Sequence, residues 1–372
     1  MTLSPPAQAT TLAQPQAAVD HLLREVLESA RARAHAFGTE YELIWSEIAR
    51  SVRGGKRFRS AIVLGTHDAL GGTHPQAAVE VAAGFELLHT AFLIHDDLID
   101  HDSVRRGKPN LAATMRAMSV ATGSAEGPAQ QWSEAAAVLA GDLALTRAHR
   151  LIGGVDVPRA QVEQLLDLLD ETLLVSAGGE LADTAYGLGL HVPDLEEAIL
   201  VCESKTAMYS FRAPLRAGAI LAGASVAEQM ELDHVGRLLG RAFQLVDDLL
   251  GVFAPEDRIG KSNMSDLREG KHTALILHAQ QLSVWAEVAP GFGRADLDRA
   301  TADAMRRALA GSPAPRLVED HVRQDLAEVE ARCAAGTMPE DMTQFVAGIT
   351  SQVRDALDDV VGHVEGARCA AG

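Results

Sequence analysis

Aromatic side chains are scarce in this sequence, 4% of 372 residues, and there are three cysteines. Cys202, Cys333 and Cys369 are widely spaced, form no CxxC and are odd in number, so neither a zinc site nor a disulfide framework is supported. A reducing, cytoplasmic setting is expected. Basic residues are also short, 33 against 51 acidic ones, and the formal net charge of −18 opposes non-specific attraction to nucleic acid or to an anionic membrane. Any phosphate site must therefore be built locally. No basic segment followed by an apolar core opens the chain, and no run approaches the ~18 apolar residues of a membrane span, so a soluble protein without stable membrane insertion is expected. Sustained alternation of apolar and polar residues between hairpin turns is missing, which removes the signal for sheet.

What is present is helix former. Apolar residues make up 47% of the chain, and from Ala17 onward they recur at three- and four-residue spacing. The pattern predicts an all-α protein of ten or more helices. Residues 1–16, rich in Pro, Thr, Gln and Ala without periodicity, read as a disordered tail, and 17–372 as one helical domain. One long helix is expected to open near Thr73-His74-Pro75, with Thr73 as a possible cap, and to end at Asp100. A second is expected over Val226–Phe253, followed by a loop to Lys271. The Gly-, Ser- and Pro-containing stretch Ser119–Gln131 reads as a flexible surface loop.

Both long helices end in acid. Asp96 and Asp100 lie one helical turn apart on one face, with Asp97 beside them, and like charges at that spacing repel. Hard oxygen ligands in this arrangement suit Mg²⁺ shared with a phosphate-bearing substrate. The plainer reading is a solvated acidic helix end, although acids there face the unfavourable end of the helix dipole. Asp247 and Asp248 repeat the pattern inside the apolar run Phe243–Leu250, where two charges need a partner. With the two helix ends level, the carboxylates would face each other across a cavity.

Basic residues cluster at glycine-marked turns: Gly54-Gly55-Lys56-Arg57-Phe58-Arg59, Arg105-Arg106-Gly107-Lys108, Gly260-Lys261 and Gly270-Lys271. Glycine lets the backbone approach an anion, Arg binds phosphate bidentately and Lys adds a compact charge. Each cluster alone is an ordinary solvated loop. Recurring beside both aspartate pairs in so acidic a chain, they favour a polyanionic ligand.

In order and spacing, GGKRFRS, HTAFLIHDDLID with RRGKPN after it, SKTAMYSF, FQLVDDLLG and GKSNMSDLREGKHTAL resemble the trans-isoprenyl diphosphate synthases, with similarity to actinobacterial geranylgeranyl diphosphate synthases. The resemblance covers about residues 20–280 and implies a large helical bundle around a central cavity. It implies Mg²⁺ as cofactor, held by Asp96, Asp100, Asp247 and Asp248. Arg105, Lys205 and Lys261 would contact an allylic diphosphate (dimethylallyl, geranyl or farnesyl). Lys56, Arg59, His89 and Arg106 would hold isopentenyl diphosphate, and Thr206 and Gln244 would place their oxygens near the allylic cation. A homodimer is also implied. Two positions depart from the family pattern: Gly251 replaces a third Asp, which leaves the metal work to Asp247 and Asp248 with help through water from Asp266, and Ser60 stands where Pro is frequent.

The resemblance implies that chain length depends on the residues five and four before the first Asp, here Ala91 and Phe92. One aromatic there, where two would imply farnesyl diphosphate, implies geranylgeranyl diphosphate, with farnesyl diphosphate as the alternative. Ordinary core packing of Phe92 is the plainer reading. Three rivals remain. A di-iron bundle would use Glu86-x-x-His89 and Glu231-x-x-His234, but at ~100° per residue His234 turns away from Asp247. A class I terpene cyclase leaves GGKR unexplained and lacks its Asn/Ser/Glu triad here. A non-catalytic partner subunit of a prenyl synthase is the third.

Overall fold

The computed structural model describes residues 9–255 and 263–369. Among these, α1 (Ala9–Ala34), α2 (Thr39–Val52), α3 (Phe58–Ala69), α4 (Pro75–Ile99), α5 (Leu111–Ala121), α6 (Glu126–Ile152), α7 (Arg159–Gly187) and α8 (Leu195–Val201) come first. A π-helical segment, Cys202–Arg212, then leads into α9 (Ala213–Ala222) and α10 (Val226–Phe253). The chain closes with α11 (Ser265–Glu269), α12 (Ala274–Gln280), α13 (Trp285–Val288), α14 (Arg299–Gly311), α15 (Ala314–Ala334) and α16 (Glu340–Cys369). The protein is all-α. Its one sheet among the described residues is a two-stranded ribbon, β1 (Val104–Arg105) against β2 (Lys108–Pro109).

Both long helices lie where periodicity puts them. The cap of α4 is His74 rather than Thr73, and its backbone N–H donates to His67 Nε2 at 3.2 Å. Two expectations change. The first helix begins at Ala9, inside the stretch read as a disordered tail, because the buried stripe Val19, Leu23, Leu27, Ala30 and Ala34 anchors a helix that then propagates through Pro15. The loop over Ser119–Gln131 shrinks to residues 122–125, since α5 continues to Ala121 and α6 starts at Glu126. Most of Ala254–Lys271 is loop or lies outside the described residues, apart from α11.

By its internal contacts the chain divides into two compact units. One takes in the described residues up to Asp170 together with Pro214–Gln229, the other Glu171–Ala213 and Met230 onward. In the first, α4 is the core helix, packed by α1, α3 and above all α6. Gly84 makes that last approach possible, because a Cβ there would lie 2.6 Å from Ile152 Cγ1. By length and hydropathy α4 would also pass for a membrane span, contrary to the reading of the sequence, but 78% of its most apolar window is buried in the protein. In the second unit α15 pairs with α16 and α12.

Candidate active site

The functional side chains fall into two clusters, one in each unit. In the first, α4 delivers Asp96 and Asp97 in its last turn, and Asp100 is its C-terminal cap. The chain then reverses through the two-residue turn Arg106-Gly107, both in left-handed conformation (φ 54° and 70°), as a tight hairpin demands. That reversal lays Arg105 on the carboxylates. Its Nε donates to Asp97 Oδ1 at 2.7 Å and its Nη2 to Asp96 Oδ2 at 2.9 Å. Burial pushes Asp97 up to about 6 despite the attraction of Arg105. Two helical turns earlier, His89 is held well below the ordinary imidazole range, first by burial and then by the charges of Arg59, Arg106, Arg105 and Arg57. Four guanidiniums therefore crowd one neutral histidine. The region is locally basic in a chain that is acidic overall.

Arg57 anchors that region. It adopts a left-handed conformation (φ 53°) and donates to Asp20 Oδ1 at 2.7 Å, Val52 O at 2.9 Å and Glu86 Oε2 at 3.3 Å. The other Glu86 oxygen accepts the Ser60 backbone N–H at 3.1 Å, at the start of α3. Lys56 is exposed in the turn between α2 and α3, and Arg59 is half-buried. A cavity of about 470 Å³ opens here, lined by Arg53, Gly54, Leu93, Asp97, Arg105 and Arg106 among others.

The second cluster is built on α7, the π segment and α10. Lys205, in the π segment, donates to Asp183 Oδ2 at 2.7 Å and to Glu180 Oε1 at 3.1 Å, both from α7. On α10, Gln244 Nε2 donates to Asp248 Oδ1 at 2.7 Å, one turn along. Burial nevertheless pushes Asp248 up to about 7; the Gln244 hydrogen bond opposes this, and the charges of Asp266 and Asp183 add to it. Asp247 and Thr206 are half-buried. A Cβ on Gly251 would run into Asp266 Oδ2, so the carboxylate of Asp266 occupies the space that a side chain at 251 would take. Lys261 lies outside the described residues.

The donors fit Mg²⁺. They are carboxylate oxygens throughout, and in the second cluster the charges of Asp266 and Asp183 add to the burial that raises Asp248, a conflict that a hard cation relieves. Among the described residues no three acidic, His or Cys side chains converge into a preformed metal cage. The di-iron alternative loses its ligands: Glu86 serves Arg57 and Ser60, Glu231 accepts from Arg332 at 3.0 Å, and His234 pairs with Glu328 at 2.9 Å.

The polyprenyl synthetase family profile matches residues 43–288. The chain belongs to that family. It is 32% identical over 256 residues to the geranylgeranyl diphosphate synthase of Methanosarcina mazei, covering 69% of this chain and 72% of that one. With the (2E,6E)-farnesyl diphosphate synthase of Mycobacterium bovis it shares 37% identity over 236 residues, 63% of this chain and 60% of that one. Among solved structures, it is similar to the Corynebacterium glutamicum geranylgeranyl pyrophosphate synthase complexed with isoprenyl diphosphate and magnesium (TM-score 0.82, 25% identity, 93% of this chain and 98% of that one). The all-α fold is thus that of the family, and the chain is a prenyltransferase of this type.

Sequence reading named Arg57 in the first basic cluster without a role of its own, and missed Glu180 and Asp183. A three-residue acidic spacing on α7 was the only trace of the latter pair, and it is common on solvated helices. Of the two chain-length candidates, Phe92 is half-buried on the stripe of Asp96. Ala91 is fully buried, seven residues after Gly84 and four before His95, whose ring lies on Gly141 of α6. Ala91 therefore belongs to the α4–α6 contact.

Proposed function

We propose that this prenyltransferase condenses isopentenyl diphosphate with an allylic diphosphate to give geranylgeranyl diphosphate, using Mg²⁺ held by Asp96 and Asp100 in one cluster and by Asp247 and Asp248 in the other. The observation that carries this reading is the pairing of each carboxylate cluster with fixed cations: Arg105 on Asp96 and Asp97, and Lys205 on Asp183. When bound, Mg²⁺ supplies Lewis-acid polarisation and charge neutralisation for a departing pyrophosphate. Arg105 and Lys205 present fixed positive charge to that leaving group, which costs no reorganisation as the allylic C–O bond breaks, and Lys261 adds its charge. Neutral His89 donates one N–H to the isopentenyl diphosphate, with Lys56, Arg59 and Arg106 supplying the charge. Thr206 and Gln244 turn oxygen dipoles toward the allylic cation, and aliphatic walls exclude the water that would capture it. No side-chain base is needed if pyrophosphate takes the proton.

Farnesyl diphosphate is the second reading, since a farnesyl diphosphate synthase is among the proteins this chain resembles. A 36% identity to the Escherichia coli octaprenyl diphosphate synthase shows that overall likeness does not rank product lengths. Incubating the protein alone with labelled isopentenyl diphosphate, Mg²⁺ and each of the three primers, followed by mass spectrometry, tests the reading. A twenty-carbon product supports it and a fifteen-carbon end product replaces it. No incorporation with any primer makes the chain a partner subunit.

The proposed enzyme works as a homodimer in the cytoplasm, in keeping with its three free thiols. Leu174 and Leu181, seven residues apart on α7, are each 73% exposed, and Leu188, in the turn just past its end, is 69% exposed, with Ala177, Gly178 and Ala185 between them. Such a heptad stripe of apolar and small residues fits the same stripe of a second copy.

A further inference from the structure

Helix α10 carries Asp247 and Asp248 at one end and, two turns earlier, Arg241. Arg241 holds two carboxylates at once. Its Nε donates to Asp325 Oδ2 at 2.8 Å and its Nη2 to the other oxygen of the same carboxylate, while Nη1 donates to Glu203 Oε1 at 2.9 Å. Arg237, one turn back on α10, adds a second donor to Glu203 at 3.3 Å. Asp325 is 2% exposed and comes from α15, beyond residue 288, where the family match ends. Glu203 lies in the π segment, two residues before Lys205 and three before Thr206.

The π segment is held closely on two sides. A Cβ on Gly179 of α7 would lie 2.7 Å from Lys205 N, and one on Gly240 of α10 would lie 2.5 Å from Ala207 Cα. Side chains hold it as well: Lys205 pairs with Asp183 and Glu180 of α7, and Arg212, at the far end of the segment, pairs with Asp233 of α10 at 2.9 Å. Glu203 adds a tether to α10 at the end of the segment that carries Lys205 and Thr206. A π-helical stretch has wider turns than an α-helix and recurs at functional positions, so a side-chain tether near Lys205 determines where its ammonium and the Thr206 hydroxyl point.

We propose that Asp325 is a positioning residue for prenyl transfer: by orienting Arg241 bidentately it fixes Glu203, and through Glu203 the π segment that presents Lys205 and Thr206. The inference rests on the reading above, in which those two residues serve the allylic substrate. Two other ion pairs join α10 to α15 without touching the π segment, Glu231 with Arg332 at 3.0 Å and His234 with Glu328 at 2.9 Å. They provide the control, because a purely structural staple would behave alike at all three places.

The test compares full-length Asp325→Asn, Asp325→Glu, Glu203→Gln and Glu231→Gln with the wild type by amide exchange over residues 202–212 and by steady-state kinetics with Mg²⁺. In Asp325→Asn, exchange over 202–212 is expected to accelerate roughly tenfold, with a roughly tenfold loss of kcat/KM for the allylic diphosphate and an unchanged KM for isopentenyl diphosphate. Asp325→Glu recovers part of both effects. Glu203→Gln, on a less buried side chain, reproduces them even if Asp325→Asn does not fold. Glu231→Gln lowers Tm without either effect. The proposal is overturned if Asp325→Asn and Glu203→Gln leave the exchange of 202–212 at the wild-type rate, or if Glu231→Gln shifts it equally. Altered exchange alongside a wild type that turns over no substrate supports the coupling and removes the prenyl-transfer reading instead.

Discussion

Gly251 and Asp266 form a complementary pair: the first gives up a side chain and the second fills the space with a carboxylate that is 8% exposed. Gly251→Ala forces that carboxylate aside where it has little room to move. The expected result is a rise of roughly tenfold in the Mg²⁺ concentration needed for half-maximal rate, as for loss of a supporting group behind a metal site. An unchanged Mg²⁺ dependence would show that Asp266 plays no part there. His67 makes a different kind of prediction. Its buried ring accepts the His74 N–H, and burial, opposed by Asp68 and reinforced by His74, holds its pKa below 6.5. Below pH ~6.5 the unfolded chain therefore binds more protons at this position than the folded one, so its contribution to stability is intact above that pH and is lost as pH falls. Urea midpoints should drop between about pH 7.5 and 5.5, and His67→Gln should flatten part of that slope. An identical slope in the variant would assign the acid sensitivity elsewhere.

At the scale of elements, the two faces of α4 have different duties. The stripe of Phe92 and Asp96 lies about 100° round the helix from the α4–α6 contact, which takes Gly84, Ala91 and His95. Phe92→Ala is therefore expected to lengthen the products, read by mass spectrometry, and an unchanged distribution in an active variant would place the floor of the product channel elsewhere. Ala91→Phe instead forces a ring into a closed helix contact and should cost about 1–3 kcal/mol of stability, seen as a lower Tm. Both long helices and both aspartate pairs were legible in the sequence, because paired charges inside apolar runs conflict with packing and so stand out. The start of α1 and the short α5–α6 turn were not. Helix propagation from an anchored stripe carries through residues whose own composition favours a loop.

For the whole molecule, the contacts that sequence reading missed are long-range. Arg241 meets Asp325 84 residues away and Arg57 meets Asp20 37 residues away. Neither pair leaves a local spacing to find, and the division into two interleaved units is equally invisible to periodicity. The α7 stripe extends the account to assembly: Leu181→Glu puts a charge in the middle of a 73%-exposed apolar row and should convert a homodimer to monomer in sedimentation velocity, whereas an unchanged sedimentation coefficient would place the interface elsewhere. The central claim is that carboxylates from both clusters hold the metal for prenyl transfer. Its most direct test is incorporation of labelled isopentenyl diphosphate onto farnesyl diphosphate by the wild type, Asp96→Ala and Asp247→Ala, with Mg²⁺ and with chelator. The account predicts turnover by the wild type with Mg²⁺ only and a loss of roughly a thousandfold or more in each variant at unchanged helical circular dichroism. Near-normal incorporation by either folded variant in Mg²⁺ would contradict it.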